Sequence, residues 1–373
     1  MKIKINIKQL FNLLNNINFS MEKKRTSSLP FNLKISIEKK AISFYITDLN
    51  MSLKEEIPYL SESKLITSLP MYTFHKIIRK INSQLNVELF FEPSLSPIQV
   101  FINSHSYRFM LPCFSSIDFP TFENEEYNFN FKLFSYDLYN VLSTVNHAIS
   151  FDEEKYYLNG VYTHIVTSNQ KKKIRFVATD IYRLALGEID APDHAEFLSG
   201  IIIPKNAILK VIKLLKYFKG DVILKVSLKK IFFKINKTIL ISKLINGKFP
   251  EYNLVIPRNK KIFKITVKDL VDSINLVKSI SSLNNIVIKM HIKNNKLIVS
   301  VNEKTNFAAV SKIDIDYIDT PISIFFNSQY LIDVLANLQS KKIYFKVDSY
   351  NSSVLITDSC KYNFLFVLMP MQI

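Results

Sequence analysis

Three kinds of segment recur in the same order along the 373-residue chain, and this internal repeat constrains the fold more than any other feature. The first kind is an amphipathic helix near the start of each third, with apolar residues three or four positions apart. These helices are predicted over residues 7–17, 135–145 and 267–277. Each has a leucine at its fourth position, and the equivalent residues are Leu10, Leu138 and Leu270.

The second kind of segment is a strand that ends in a polar cap and continues into another helix. It occurs at residues 65–81, 200–215 and 323–338, where the equivalent helix positions are Phe74, Ile208 and Leu331. The third kind is a closing strand, predicted within residues 107–120, 239–252 and 362–371. The first two closing strands lead into the same aromatic-proline turn, Phe119-Pro120 and Phe249-Pro250.

The repeat predicts an α+β fold of three similar domains, each reading helix, strands, helix, strands. Short polar segments suggest domain limits of 1–125, 126–256 and 257–373. Amphipathic helices at intervals are common in any α+β chain, so no single landmark is decisive. Three kinds of landmark in one fixed order favour a true repeat.

The chain is strongly basic, with 49 Lys and Arg against 32 Asp and Glu and a formal net charge of +17. Such a balance favours a polyanionic partner. Lys, Asn, Ile and Phe are abundant while Gly occurs only five times, which is typical of A/T-rich codon usage and weakens the argument from total charge. The positions of the lysines are therefore more informative than their number.

Two of the second-kind helices carry positive charge without acids. Residues 71–82 contain His75, Lys76, Arg79 and Lys80, and residues 205–219 contain Lys205, Lys210, Lys213, Lys216 and Lys219. Steps of three and four residues predict that most of these side chains share an exposed face that could contact phosphates. The alternative is an ordinary solvated lysine face. The third helix is the weakest case because Asp333 interrupts it.

The sequence gives little sign of secretion, membrane insertion or catalysis. Cys113 and Cys360 form no disulfide framework, no apolar run approaches the length of a membrane span, and we expect a soluble cytoplasmic protein. Phosphate-binding loops and metal-ligand spacings are missing, so we expect no cofactor and no metal. The densest acidic run, 152–154, could hold Mg²⁺ but is more typical of a solvated loop. Asp48 and Asp180 are interpreted as turn formers.

With these features in view, the chain resembles the bacterial sliding clamps, the beta subunits of the replicative DNA polymerase. The resemblance runs from residue 1 to 373 and is carried by TDLNM (47–51), YYLNG (156–160), VATDIYRLAL (177–186), SKLINGKFPEY (242–252), FNSQYLIDVLANL (326–338) and VLMPMQI (367–373). It implies a non-catalytic protein with three clamp domains per chain. Two chains would join head to tail in a ring, with helices lining the pore and antiparallel sheets outside.

The resemblance also implies two functional surfaces. Contacts to double-stranded DNA, independent of sequence, would come from Arg25, Arg79, Lys80, Tyr156, Tyr157, Lys205 and Lys213. A pocket for peptides of the polymerase catalytic subunit, the clamp loader and other clamp-binding-motif proteins would comprise Leu158, Thr179, Tyr182, Arg183, Leu184, Pro250, Val255, Asn327, Tyr330, Ser353, Val367, Leu368, Met369, Pro370 and Met371. The tyrosine pair could instead begin a core strand, and Val367 and Leu368 could simply end one.

Three features of the sequence depart from the family pattern. Bulky Ile181 stands where a small residue is usual, Gln372-Ile373 replaces a basic residue followed by leucine, and the acidic run at 152–154 precedes the DNA-side tyrosines. Two other functions stay open at this point. One is a metal-dependent nuclease that uses Asp152, Glu153 and Glu154, and the other is a nonspecific DNA-binding protein without a ring.

Overall fold

The computed structural model describes most of the chain, and every structural statement below concerns these residues. They are 1–18, 32–81, 86–92, 99–104, 107–116, 119, 126–168, 171–192, 200–280, 286–302, 308–338, 340–358 and 360–372. None of the helices found within these ranges is long and apolar enough to cross a membrane.

Six α-helices lie in the described part of the chain, two in each third of the sequence. They are α1 (Ile7–Ile17), α2 (Met71–Lys80), α3 (Ser135–Val145), α4 (Lys205–Leu215), α5 (Val267–Lys278) and α6 (Ser328–Ala336). The repeat positions Leu10, Leu138, Leu270, Phe74, Ile208 and Leu331 are all fully buried. The predicted helices are therefore confirmed, and each buries its shared apolar position in the core.

The strands of the first unit build one four-stranded and one eight-stranded sheet. The four-stranded sheet has the order β1 (Lys2–Asn6), β6 (Asn86–Glu92), β7 (Gln99–Ser104), β8 (Tyr107–Pro112). The eight-stranded sheet has the order β5 (Leu65–Pro70), β2 (Asn32–Ile37), β3 (Ala41–Thr47), β4 (Met51–Pro58), β16 (Thr238–Lys243), β15 (Lys230–Ile235), β14 (Asp221–Val226), β9 (Phe129–Phe134). This compact unit comprises residues 1–134 and 213–243.

The second compact unit, residues 135–212 and 244–373, repeats this plan. Its eight-stranded sheet has the order β13 (Ile201–Pro204), β10 (Gly160–Ser168), β11 (Lys171–Thr179), β12 (Arg183–Asp190), β24 (Phe364–Leu368), β23 (Val354–Asp358), β22 (Lys342–Val347), β17 (Lys261–Thr266). Its four-stranded sheet has the order β20 (Ala308–Asp314), β19 (Lys296–Asn302), β18 (Val287–Lys293), β21 (Ile322–Asn327).

All registered strand pairs in both units are antiparallel, and alternate side chains are buried. In β15, for example, Ile231, Phe233 and Ile235 are buried while the residues between them are accessible. Helices contact the first eight-stranded sheet at β4 and β5, and the second at β11, β12, β17 and β24. Each large sheet thus has an inner face against helices and an outer face of alternating side chains.

Candidate functional site

The last turns of α2 and α4 form a basic surface in the first unit. Arg79, Lys80 and Lys213 are all exposed there. Burial lowers the pKa of His75, and the positive charges of Arg79 and Lys213 lower it further. Side chains of both helices therefore lie near enough to His75 for their charges to act on it. His75 is held by a 2.9 Å hydrogen bond between its Nε2 and Asn15 Oδ1. The surface presents several exposed cations together, which suits contacts to phosphates.

A second group of predicted DNA contacts lies in the second unit. Tyr156 is 52% exposed and Tyr157 half-buried, and their rings meet edge to face with centroids 5.8 Å apart. A side chain at Gly247 would come within 3.0 Å of Tyr157 Cβ, so Tyr157 also has a packing role. Lys205 Nζ lies over the ring of Phe151. Burial is the main cause that lowers the pKa of Lys205 to about 8, and the positive charge of Arg183 is the second.

The acidic run beside these tyrosines is exposed and its side chains do not form a cluster. Asp152 Oδ1 accepts a hydrogen bond from the backbone N–H of Glu154, and Asp152 also pairs with Lys155 at 3.7 Å. Nowhere in the described ranges do three His, Cys, Asp or Glu side chains come together as metal ligands. The nuclease interpretation therefore gains no support from the geometry.

An apolar basin covers the outer face of the second eight-stranded sheet. Val177, Leu184 and Val367 point to this face from three adjacent strands and are almost fully buried. Leu158 joins them, and the chain after β16 crosses the sheet so that Phe249 and Tyr252 pack on the same cluster. Phe249 stacks on Tyr162 with ring centroids 4.8 Å apart. The linker after β16 thus covers part of the sheet, and apolar side chains surround the covered part.

Several apolar side chains at the rim of this basin are exposed. The accessible residues are Ile181, Tyr182, Leu254, Val255, Met369 and Met371. The C-terminal tail is fixed by two backbone hydrogen bonds, from Met369 N–H to Tyr182 O at 2.9 Å and from Met371 N–H to Phe325 O at 2.8 Å. Exposed aliphatic, aromatic and thioether groups around one basin are typical of a surface that binds an apolar peptide.

Arg183 fixes the strand turn at the edge of the basin. Its Nε donates to Asp180 Oδ2 at 2.9 Å, and one terminal nitrogen donates to Asp333 Oδ2 on α6 at 2.6 Å. Its guanidinium lies 4.4 Å from the centroid of Tyr330, and Tyr330 stacks beside Tyr182. Arg183 is only 9% exposed, so these bonds hold the strand turn against the helix.

A polar network supports the linker that covers the basin. Tyr252 Oη contacts His164 Nε2 at 2.9 Å and accepts a hydrogen bond from Arg175 at 3.0 Å. Arg175 also donates to Glu188, at 2.8 Å from its Nε. Burial lowers the pKa of His164, and the charge of Arg175 lowers it further. Because Tyr252 lies in the linker, this network fixes the linker to β10 and β11.

Comparison with known proteins decides the family. Models of the DNA polymerase III beta subunit match its N-terminal domain at residues 1–123, its central domain at 132–251 and its C-terminal domain at 253–372. The beta sliding clamp of Caulobacter vibrioides is 30% identical over 375 residues, 100% of each chain. This chain belongs to the bacterial sliding clamp family. Members of that family are non-catalytic processivity factors of DNA polymerase III.

Solved clamp structures agree with the fold. A crystal structure of the Caulobacter crescentus clamp superposes with a TM-score of 0.95 at 30% identity, covering 100% of this chain and 99% of the other. The Bartonella birtlesii clamp bound to griselimycin gives a TM-score of 0.93 at 30% identity, covering 100% of each chain. The predicted α+β fold of three clamp domains with antiparallel sheets is thereby confirmed.

The structure brings together most of the residues expected at the peptide pocket. Two of them lie on the opposite face of the sheet. Leu368 and Arg183 lie on the inner face of the sheet, opposite to Leu184 and Val367, because successive strand residues alternate. Asn327 caps α6, its Oδ1 accepting from Gln329 N–H at 2.9 Å. Ser353 is half-buried, and its carbonyl accepts from Asn259. Thr179 is buried, and Pro250 and Pro370 are at least partly accessible.

Most of the basic side chains of these two helical segments are exposed, as the spacing predicted, with one buried exception. Lys210 is only 6% exposed because it falls on the side of α4 that also buries Ala207 and Val211. Arg25 and Ile373 lie outside the described residues. Arg79, Lys80 and Lys213 are exposed, as the helical spacing predicted.

Sequence patterns did not point to Asp333 as a partner of Arg183, nor to the Arg175–Tyr252 contact. The first pair is separated by 150 residues and the second by 77, and no local spacing connects them. The exposed Leu254 beside Val255 was also missed, although two adjacent aliphatic residues in a polar linker were a usable signal.

Proposed function

We propose that this clamp encircles duplex DNA as a head-to-tail dimer and tethers the replicative polymerase to it. The observation that carries the proposal is the pair of small sheets near the two ends of the chain, each with an accessible edge strand, β8 and β20. Tyr107 and Met110 on β8, and Val310 on β20, are more than half exposed. Edge strands of this kind favour pairing between chains. A ring formed this way keeps DNA by topology and needs no tight contact.

The proposed DNA contacts are sequence-independent. Arg79, Lys80, Lys205 and Lys213 would face the duplex from helices that line the pore, with Tyr156 and Tyr157 beside them. Arg25, which lies outside the described residues, remains a further proposed contact. Lysine and arginine contacts to phosphates position a protein without reading bases, and they exchange readily enough to permit sliding. A DNA partner also agrees with a cytoplasmic location.

We assign the apolar basin of the second unit to short linear peptides. The proposed ligands come from the polymerase catalytic subunit, the clamp loader and other proteins with a clamp-binding motif. Exposed apolar groups around a rigid, buried floor supply the desolvated anchors that dominate such interfaces. Domain limits near residues 125 and 256 would place this basin where the second and third domains meet.

The solution mass and the shape of the particle test the ring. We expect a particle of about twice 43.4 kDa by light scattering, with a central hole in electron micrographs. A monomer at micromolar concentration, or a dimer without a hole, would contradict the proposal. We expect substitution of Tyr107, Met110 and Val310 with serine to shift the mass toward the monomer while the fold persists.

A further inference from the structure

A row of lysines crosses the outer face of the first eight-stranded sheet. Strand register places seven residues directly opposite one another, in the order Lys34, Tyr45, Lys54, Ile239, Lys234, Ile223, Lys132. We call these seven residues the lysine row. Every second strand contributes a lysine, so neighbouring lysines are about 10 Å apart and the row is about 29 Å long.

Aromatic rings hold two of these lysines in place. Lys34 Nζ lies 5.8 Å from the centroid of Tyr45 and 5.4 Å from that of Phe119, and Lys54 Nζ lies 4.8 Å from Tyr45. Such contacts order the side-chain stems and leave the ammonium groups at the surface. Lys132 and Lys234 at the other half of the row are exposed.

The adjacent row of the same face continues this pattern of cations beside rings. Lys225 Nζ lies 5.3 Å from the centroid of Phe232 and 5.9 Å from that of Tyr127. The rings of Tyr127 and Phe232 meet at 5.7 Å. Lysines and aromatic rings therefore lie side by side at two places on this face, around Tyr45 on β3 and around Phe232 on β15.

The field over this face is positive. Glu56 lies beside the row and pairs with Lys54 at 3.0 Å. Partial burial opposes ionisation of Glu56, yet its pKa is lowered, through hydrogen bonds from Lys54 and Ser43 and the charges of Lys54 and Lys234. Asp221, two residues before Ile223 on β14, is a second carboxylate on this face. The four lysines of the row and Lys225 outnumber these two carboxylates and favour an anionic ligand.

We propose that the lysine row and its neighbouring aromatic residues form a second nucleic-acid surface of this clamp, one that binds single-stranded DNA. The surface is separate from the basic helices assigned to duplex DNA, because it lies on the outer face of the sheet. Its extended cationic track follows a flexible phosphate backbone, and the interleaved rings stack on unpaired bases. Binding is independent of base sequence because every base offers a face to stack on.

The aromatic residues favour single-stranded DNA over an acidic peptide or a duplex. Stacking on side-chain rings requires bases that are free of pairing, so a duplex gains only from the lysines. An acidic peptide likewise gains charge pairing and lacks flat faces for Tyr45 and Phe232. The row length of about 29 Å accommodates several nucleotides, within the range bound by known single-strand platforms.

The test measures binding of a fluorescent dT20 oligonucleotide by the full-length dimer through anisotropy at several salt concentrations. The variant changes Lys34, Lys54, Lys132 and Lys234 to glutamine. The matched control changes Lys39, Lys40, Lys229 and Lys237 to glutamine, which removes the same charge from exposed hairpin turns of the same sheet. We expect the row variant to bind dT20 at least tenfold more weakly and to reduce the log–log salt slope by about 3.

Three outcomes decide the proposal. A tenfold loss in the row variant, with a much smaller loss in the turn control and unchanged loading onto circular duplex DNA, supports it. Equal losses in both variants, or no loss in either, overturn it. So does a row that binds a poly-glutamate peptide as tightly as dT20, or a Tyr45→Leu variant that binds dT20 as tightly as the unchanged chain. Thermal unfolding of both variants serves as the check that each is folded.

Discussion

The outer faces of the two eight-stranded sheets share one topology and differ in chemistry. The second sheet has a row equivalent to the lysine row, in the order Tyr162, Val177, Leu186, Leu365, Thr357, Tyr344, Lys264. Four lysines in one row correspond to a single lysine in the other. The same scaffold therefore carries a cationic platform in one unit and an apolar basin in the other, and only the outward side chains set the difference.

Two equivalent strand turns share one backbone geometry and differ in their side chains. In turn 47–51 the Asp48 carboxylate accepts from the N–H groups of Asn50 and Met51, and in turn 179–183 Asp180 does the same for Tyr182 and Arg183. The interpretation of both aspartates as turn formers is confirmed. Leu49 and Ile181 even share a positive φ, 71° and 82°. The two turns thus share their backbone geometry. Tyr182 and Arg183 distinguish turn 179–183, which borders the basin, from turn 47–51.

The largest expected effect comes from removing the tail of the basin. Deleting residues 369–373 takes away Met369 and Met371, so a peptide from the polymerase catalytic subunit should bind at least about a hundredfold more weakly. Fluorescence anisotropy of the labelled peptide measures this. The control is Lys243→Ala, which removes the side chain at the corresponding position of the first unit, where Lys243 N–H donates to Asn50 O as Met369 N–H donates to Tyr182 O. Full peptide affinity after the deletion would remove the tail from the pocket.

The next largest effect is expected at Arg183. Arg183→Met introduces the residue found at the equivalent position of the first turn and leaves Asp180 and Asp333 without their cation. Loss of this nearly buried ion pair should lower the free energy of unfolding by roughly 2–3 kcal/mol and weaken peptide binding. Urea unfolding tests the first effect and anisotropy the second. A volume-conserving Met51→Leu should change unfolding by less than about 1 kcal/mol, and equal losses would refute the assignment.

Acid sensitivity should also differ between the units. Burial is the main cause that lowers the pKa of His147 to about 4, from an ordinary value of 6.5. The unfolded chain then binds more protons below pH 6.5, so stability is full above that pH and falls as the pH drops toward about 4. We expect a loss of roughly 2 kcal/mol at pH 5.

Changing His147 isolates this contribution. His147→Phe keeps an aromatic ring against Phe366, which lies 5.9 Å away, and removes the titrating group. Urea unfolding at pH 7 and pH 5 should show a smaller acid loss in this variant than in the unchanged chain. The control is His75→Phe in the first unit, where the histidine is less buried. An identical acid loss in the His147 variant would contradict the account.

The smallest expected effect compares two lysines proposed to contact DNA. The pKa of Lys205 is lowered to about 8, so its positive charge is present at pH 7 and is lost as the pH rises past 8. Affinity for a short duplex should fall about two- to threefold more between pH 7 and 9 in the unchanged chain than in Lys205→Arg. Lys213→Arg serves as the control and should leave the pH profile unchanged. Parallel profiles for both variants would argue against contact by Lys205.

The threefold architecture was predictable because its signals are local. A leucine at the fourth position and apolar steps of three or four residues identify α1, α3 and α5 without knowledge of tertiary contacts. The pairing of Arg183 with Asp333 and the burial of Lys210 depend on which helix face meets a sheet, and sequence spacing does not contain that information. The lysine row likewise needs the register between β4 and β16, strands more than 180 residues apart.

Retention on DNA tests the central claim, a ring held by topology, most directly. Clamps loaded onto nicked circular DNA should stay bound through gel filtration at salt concentrations that abolish binding to short duplexes, and should be lost promptly once a single cut linearises the circle. Release at equal rates from circular and linear DNA, weakening in parallel as salt is raised, would show that contacts rather than closure hold this protein on DNA.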